Sequence, residues 1–149
     1  MITIRIKGTP APGGSKSSMV HPHTGRRIML DAGGKRNKIW RSCCEAFARR
    51  QIGSTPPLSG PLSVSFEFIM PRPRSHFRSV KKMPVLRDDA PRHHTQAPDR
   101  TKLMRSTEDA LTGICWVDDA QIVTGQDIIK RWAAPDEEPG AVVTILGIE

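Results

Sequence analysis

The chain has 149 residues, 37% of them hydrophobic and 5% aromatic, with no tyrosine and a net charge of +8. No apolar run approaches the roughly 20 residues of a membrane-spanning helix, and the alternating start Met1 to Lys7 holds no signal-peptide core, so a single cytoplasmic domain over 1–149 with a modest aliphatic core is expected. Three cysteines, two of them adjacent (Cys43, Cys44), cannot build a disulfide framework.

Ile2, Ile4 and Ile6 alternate with Thr3, Arg5 and Lys7, the period of a half-buried strand ending at Gly8. Two prolines and two glycines within Thr9–Lys16 exclude regular structure there. Met19-Val20 and Arg27–Leu30 read as a hairpin across His21–Gly25. Trp40, Cys43, Cys44, Phe47 and Ala48 recur at helical spacing, predicting a helix over about Lys38–Ile52 closed by Gly53. Leu62–Phe68 alternates strictly and is the clearest strand, stopped by Pro71-Arg72-Pro73. Residues 71–98, with five prolines and no sustained periodicity, predict a long basic loop, partly ordered at best without a ligand. A second helix follows over about Arg100–Thr112, closed by Gly113. Ile122-Val123 and Ile128-Ile129 suggest one strand bent at Gly125, and Ala141–Leu146 a buried last strand. The order ββαβαββ predicts an α+β fold: a mixed sheet of four or five strands, two helices on one face, and both termini paired within the sheet.

Charge is unevenly placed. Residues 1–105 carry 21 basic and 6 acidic side chains, whereas the last 44 carry 2 and 9. A basic body points to a polyanionic partner, foremost nucleic acid. A pure phosphate binder gains nothing from embedded carboxylates; a metal-dependent nuclease requires them.

Zinc has no CxxC, HxxxH or HExxH to support it. A Ser–His–Asp hydrolase has no GxSxG. Gly13-Gly14-Ser15-Lys16 lacks the spacing of a nucleotide-binding loop, so no nucleotide cofactor is expected. Asp99, before a helix, and Asp118-Asp119, at the mouth of a strand, are the carboxylates most suggestive of chemistry, with a cap and a turn as their ordinary alternatives. Hard cations such as Mg²⁺ take such oxygen ligands.

The segments Pro98–Arg105, Asp109–Thr112 and Trp116–Val123 together resemble the RusA family of small Holliday-junction resolvases common in phages and prophages. The family pattern is Asp-x-Asp-Asn-Leu-x-Lys, then Asp-Ala-Leu, then Trp-x-Asp-Asp-x-Gln-Val. The opening strand followed by Pro10–Lys16 is also similar to the start of the family's phage-type branch. The resemblance implies a crossover-junction endodeoxyribonuclease that cuts branched DNA with Mg²⁺ or Mn²⁺, working as a homodimer matched to the near two-fold symmetry of a junction. It makes Asp99 and Asp119 metal ligands, with Asp118 beside them. It puts Thr101 where the family has its second Asp, Arg105 where it has Lys, and Lys102 where it has Asn. Thr101 could hold a metal only weakly or through water, and Arg105 can stabilise a phosphate but not donate a proton. Lys16, Arg72, Arg74, Lys81, Lys82 and Lys102 are the expected DNA contacts. The alternative reading is a non-catalytic branched-DNA-binding protein whose metal site has decayed. An RNA-binding domain would need exposed stacking aromatics, of which few are available.

Overall fold

The computed structural model describes residues 1–13, 16–31 and 34–149. Its centre is β4 (Leu62–Met70), because the strict alternation of that segment gives it one wholly apolar face. Leu62, Val64, Phe66 and Phe68 are buried together, while Ser63, Ser65 and Glu67 point the other way. One edge of β4 pairs antiparallel with β9 (Gly140–Gly147), which in turn pairs antiparallel with β1 (Ile2–Lys7). The chain termini therefore lie side by side in one sheet, Ile2 opposite Ile145. The other edge of β4 pairs parallel with two successive segments, β7 (Ile122–Thr124) and β8 (Ile128–Trp132).

The break between β7 and β8 is steric. A Cβ at Gly125 would overlap the Val64 carbonyl oxygen, so only glycine lets the chain pass β4 so closely. Pairing resumes one step on, where Phe66 N–H donates to Asp127 O at 2.9 Å. The expected single strand bent at Gly125 is thus two segments along one edge.

The apolar face of the sheet is covered by α1 (Gly34–Ile52) and α2 (Arg100–Leu111). Trp40, Cys44 and Ala48 from α1 and Leu103, Ala110 and Leu111 from α2 meet the strand side chains in one core. The seam between the helices carries polar groups that are satisfied within it. Trp40 Nε1 donates to Thr107 Oγ1 (3.1 Å), whose hydroxyl donates to Leu103 O (2.9 Å), and Ser106 Oγ donates to Asn37 Oδ1. Buried Asn37 also explains why α1 begins four residues before the expected Lys38: a polar residue on the inner face hides the start of the apolar stripe.

Two small hairpins stand off this body. One joins β2 (Lys16–Val20) to β3 (Arg27–Asp31). The other, β5 (Phe77–Val80) with β6 (Met83–Leu86), corrects the expectation of a long loop, partly ordered at best, over 71–98. Its two-residue turn is Lys81-Lys82, both at positive φ (50° and 65°). That geometry normally selects Asn-Gly, so the turn carries no sequence signal. The rest of 71–98 is tied down by Arg72, whose guanidinium donates to Ala133 O (3.3 Å) and Pro91 O (3.0 Å) and stacks over Trp132. Among the described residues no helix is long and apolar enough to cross a membrane.

The solvent-facing side of the sheet is pinned by Arg131, which donates to Glu67 (2.6 Å) and, through two nitrogens, to Glu137 (2.7 Å each). These bonds, with the Ala134 N–H, hold the Glu137 carboxyl down at about 2. A carboxylate with a depressed pKa stabilises the fold above its ordinary value near 4.5 and loses that contribution as pH falls towards 2. Glu137→Gln should therefore lower stability by about 1 kcal/mol at neutral pH, once discounted for solvent screening. The gap between wild type and variant should close on acidification, as thermal melts from pH 6 to 2.5 can check.

Candidate active site

The acidic residues singled out in the sequence lie on the connection that carries the chain from β4 through α2 to β7. Asp99 occupies the N-cap position of α2, and its carbonyl accepts from Leu103 N–H (3.1 Å). Its side chain makes no capping bond. The carboxylate instead faces Lys102 Nζ at 3.6 Å, with both side chains largely in solvent. An N-cap aspartate whose oxygens are not spent on the helix is available for something else.

Asp118 is the opposite case. Its Oδ1 accepts from Ala120 N–H (2.8 Å), and its own N–H donates to Gln121 Oε1 (2.8 Å), a reciprocal cap on the short turn Asp119–Gln121. Gln121 Nε2 then donates to Leu58 O (3.2 Å) and Gly60 O (2.8 Å), fastening the turn to the segment that leads into β4. On its other side, Trp116 Nε1 donates to Thr112 Oγ1 (3.0 Å), and Gly113 N–H donates to Trp116 O (2.7 Å). The pattern Asp-Asp-x-Gln is thereby decoded. Asp118 and Gln121 build a rigid turn, and exposed Asp119 is what the turn presents.

Glu108 is the residue that sequence reasoning missed. Thr101, Arg105 and Glu108 fall at i, i+4 and i+7 on α2, one continuous stripe. Glu108 is half-buried, and its carboxyl is pushed above the ordinary range by burial first, then by the charges of Asp119 and Asp109, with Arg105 partly opposing. The spacing from Thr101 and Arg105 was the available signal. What could not be seen is that the Asp118–Gln121 turn sets Asp119 close enough for its charge to act on Glu108.

The Asp119 charge is thus felt at Glu108, with Arg105 opposing it, and Asp99 faces Lys102. Among the described residues no ion pair or hydrogen bond links these two groups, and no three His, Cys, Asp or Glu side chains gather into a ready-made metal cage. Mg²⁺ commonly takes only one or two carboxylates and fills the rest of its shell with water and substrate phosphate. The donor chemistry of Asp99, Asp119 and Glu108 fits such a cation.

The expected DNA contacts separate into two kinds. Arg74 lies exposed in the short turn Arg74–His76, and Lys81 and Lys82 form the exposed tip of the β5–β6 hairpin. Arg72, in contrast, is occupied inside the fold by Ala133, Pro91, His76 and Trp132. Lys16 opens β2 opposite Asp31, but its side chain, like Gly14 and Ser15 of the glycine-rich loop, lies outside the described residues.

The chain is an α+β domain with exposed carboxylates at the start of α2 and on the turn before β7, and with basic residues on projecting hairpins. The family description Endodeoxyribonuclease RusA matches residues 12–146 of the 149, and the chain belongs to that family. The family is one of Holliday-junction resolvases, generally dependent on a divalent metal. No individual curated protein matches the chain.

Because Glu108 is harder to ionise in the folded chain than in the unfolded one, its contribution to stability is full below the ordinary carboxylate range and is lost as pH rises through the raised value. In metal-free protein, Glu108→Gln should therefore raise the melting temperature at neutral pH and lose that advantage near pH 4. Asp119→Asn should bring the Glu108 titration, followed by carboxyl ¹³C shifts, to lower pH.

Proposed function

We propose that this protein is a divalent-metal-dependent endonuclease that binds branched DNA, Holliday junctions above all, and cleaves phosphodiester bonds during recombination, repair or phage DNA processing. The observation that carries the reading is the rigid Asp118–Gln121 turn that leaves Asp119 exposed, its charge felt at Glu108, in a chain of the RusA family. Asp99 and Asp119 are the proposed ligands for Mg²⁺ or Mn²⁺, with Asp118 committed mainly to the turn. Glu108 offers a carboxylate one stripe along from Thr101, where the family pattern has an Asp. Thr101 itself is left to a weak or water-mediated contact. When bound, such a cation activates water and offsets the charge that builds on the phosphate.

The remaining work belongs to the chain itself. Arg105 and Lys102 flank the carboxylates and neutralise a phosphate drawn to them. As a permanently charged guanidinium, Arg105 stabilises charge and does not deliver a proton. Lys81 and Lys82 at the hairpin tip, Arg74 and Lys16 hold the DNA arms through their phosphates. A homodimer would place two such sites on the two strands of a junction. A host-cell cytoplasm, with a phage or prophage origin, is the setting this function implies.

The test is incubation of purified protein with a synthetic four-way junction and Mg²⁺ or Mn²⁺. Metal-dependent nicking is expected, and Asp119→Asn should keep junction binding while losing about 100-fold or more in cleavage rate, the scale of a catalytic electrostatic contribution. Thr101→Asp should lower the Mg²⁺ concentration needed for half-maximal cleavage. Tight binding without cleavage in any divalent metal would instead make this a branched-DNA-binding protein, the reading that Thr101 favours.

A further inference from the structure

A cavity of about 680 Å³ opens beside the start of α2, apart from the Asp119–Glu108 pair. Four stretches remote in sequence wall it: the segment after β1, the first turns of α1 with Ile39, the end of β4 at Met70, and residues 94–98 leading into Asp99. Trp132, the last residue of β8, completes it. The lining is mostly apolar, as in pockets that take flat organic groups.

Two residues of this wall carry a buried polar atom without a partner. His94 Nδ1 and Trp132 Nε1 are buried without a hydrogen bond, on residues only 9% and 7% exposed. Their rings lie 4.2 Å apart between centroids. Among the described residues the other buried side-chain N and O atoms are satisfied, as in the Trp40–Thr107 and Asn37–Ser106 bonds of the helix seam. Leaving two unsatisfied side by side is uncommon in native proteins and calls for an explanation. Burial, and then the nearby Lys130 ammonium, hold the His94 imidazole below its usual range, so it is neutral at physiological pH. A neutral imidazole and an indole N–H together suit the alternating donors and acceptors of a heterocycle edge.

The surroundings narrow the ligand further. Arg36 lines the cavity, and its cationic side chain suits a ligand with a phosphate attached. Pro98, on the wall, is followed directly by Asp99 and, one turn on, by its partner Lys102. We propose that this cavity receives a single nucleobase extruded from a DNA strand at the branch point, its sugar–phosphate running past the start of α2. The inference rests on the branched-DNA reading above. A branch point is where extrusion costs least, because base pairs there are already open or poorly stacked.

The probe is 2-aminopurine, whose fluorescence rises when it leaves the base stack. Four-way junctions carrying it at each position next to the branch should show, on binding the full-length protein, a rise of about threefold or more at one position, as expected for a base taken out of the helix. Ile39→Trp, at an exposed α1 position on the cavity wall, and Trp132→Phe, which removes the unpartnered N–H, should each abolish that rise while gel shifts still report junction binding. Junction binding with no change at any position, or with the same change in both variants, would overturn the cavity's role and leave the branched-DNA reading standing. Titration with free 2-aminopurine deoxyriboside separates the two claims. If the protein binds no junction, saturable nucleoside binding that Ile39→Trp removes would keep the cavity as a nucleobase site and overturn the DNA reading. Absence of both would overturn the cavity too.

Discussion

Parallel pairing of β8 with β4 is the constraint from which the site follows. Two parallel neighbours cannot be joined by a tight turn, so the chain must cross over the sheet between them, and it does so through α2. The crossover fixes what lies at each end of the helix. Asp99 and Lys102 stand where it begins, held near β8 by Lys130 Nζ, which donates to Gln96 O (2.7 Å) and Pro98 O (2.9 Å). The Asp118–Gln121 turn stands where the chain comes back to the sheet, fastened by Gln121 to the run into β4. Gly125 then lets the returning strand pass close to Val64. The helix seam sets the rotation of α2: with Thr107 bonded to Trp40 and Ser106 to Asn37, the stripe through Thr101, Arg105 and Glu108 is left off the seam, and Glu108 comes within reach of the Asp119 charge.

The electrostatic layout agrees with a nuclease more closely than with a plain DNA-binding domain. Acidic side chains are rare in the first 105 residues and frequent in the last 44, yet the fold sets Asp119 from the acidic end against a helix that also carries Lys102 and Arg105. The Asp119 charge adds to the cost of ionising Glu108, a conflict that a bound cation would relieve. Exposed basic groups sit on projecting parts, above all the Lys81-Lys82 turn. Non-glycine residues at positive φ cost energy there, and such strain is found where a side chain must be presented in one place.

Much of this was legible in the sequence, and what was not has physical reasons. The alternation of Leu62–Phe68, the stripe of α2, the bend at Gly125 and the pairing of the termini are all local patterns that the tertiary structure did not override. The start of α1 was hidden because Asn37 is polar yet buried. The β5–β6 hairpin was hidden because Lys-Lys is not a hairpin turn by composition and because Pro84 sits in β6. Arg72 reads as a surface cation in sequence, and only the fold shows it spent on Pro91, Ala133 and Trp132. Glu108 and the Trp132 cavity depend on segments far apart in the chain, which no local spacing can bring together. Motif resemblance located Asp99, Asp118 and Asp119 but could not tell that Asp118 caps a turn while Asp99 leaves its own helix uncapped.

The central proposal is that Asp119, with Asp99 and the neighbouring carboxylate of Glu108, holds a divalent cation. Paramagnetic broadening by substoichiometric Mn²⁺ in NMR spectra of the DNA-free protein tests it without reference to catalysis. The account predicts selective broadening of the Asp119 and Glu108 signals, lost in a Glu108→Gln and Asp119→Asn double variant that keeps the wild-type spectrum elsewhere. Broadening that leaves both residues untouched, or that persists unchanged in the double variant, would contradict it.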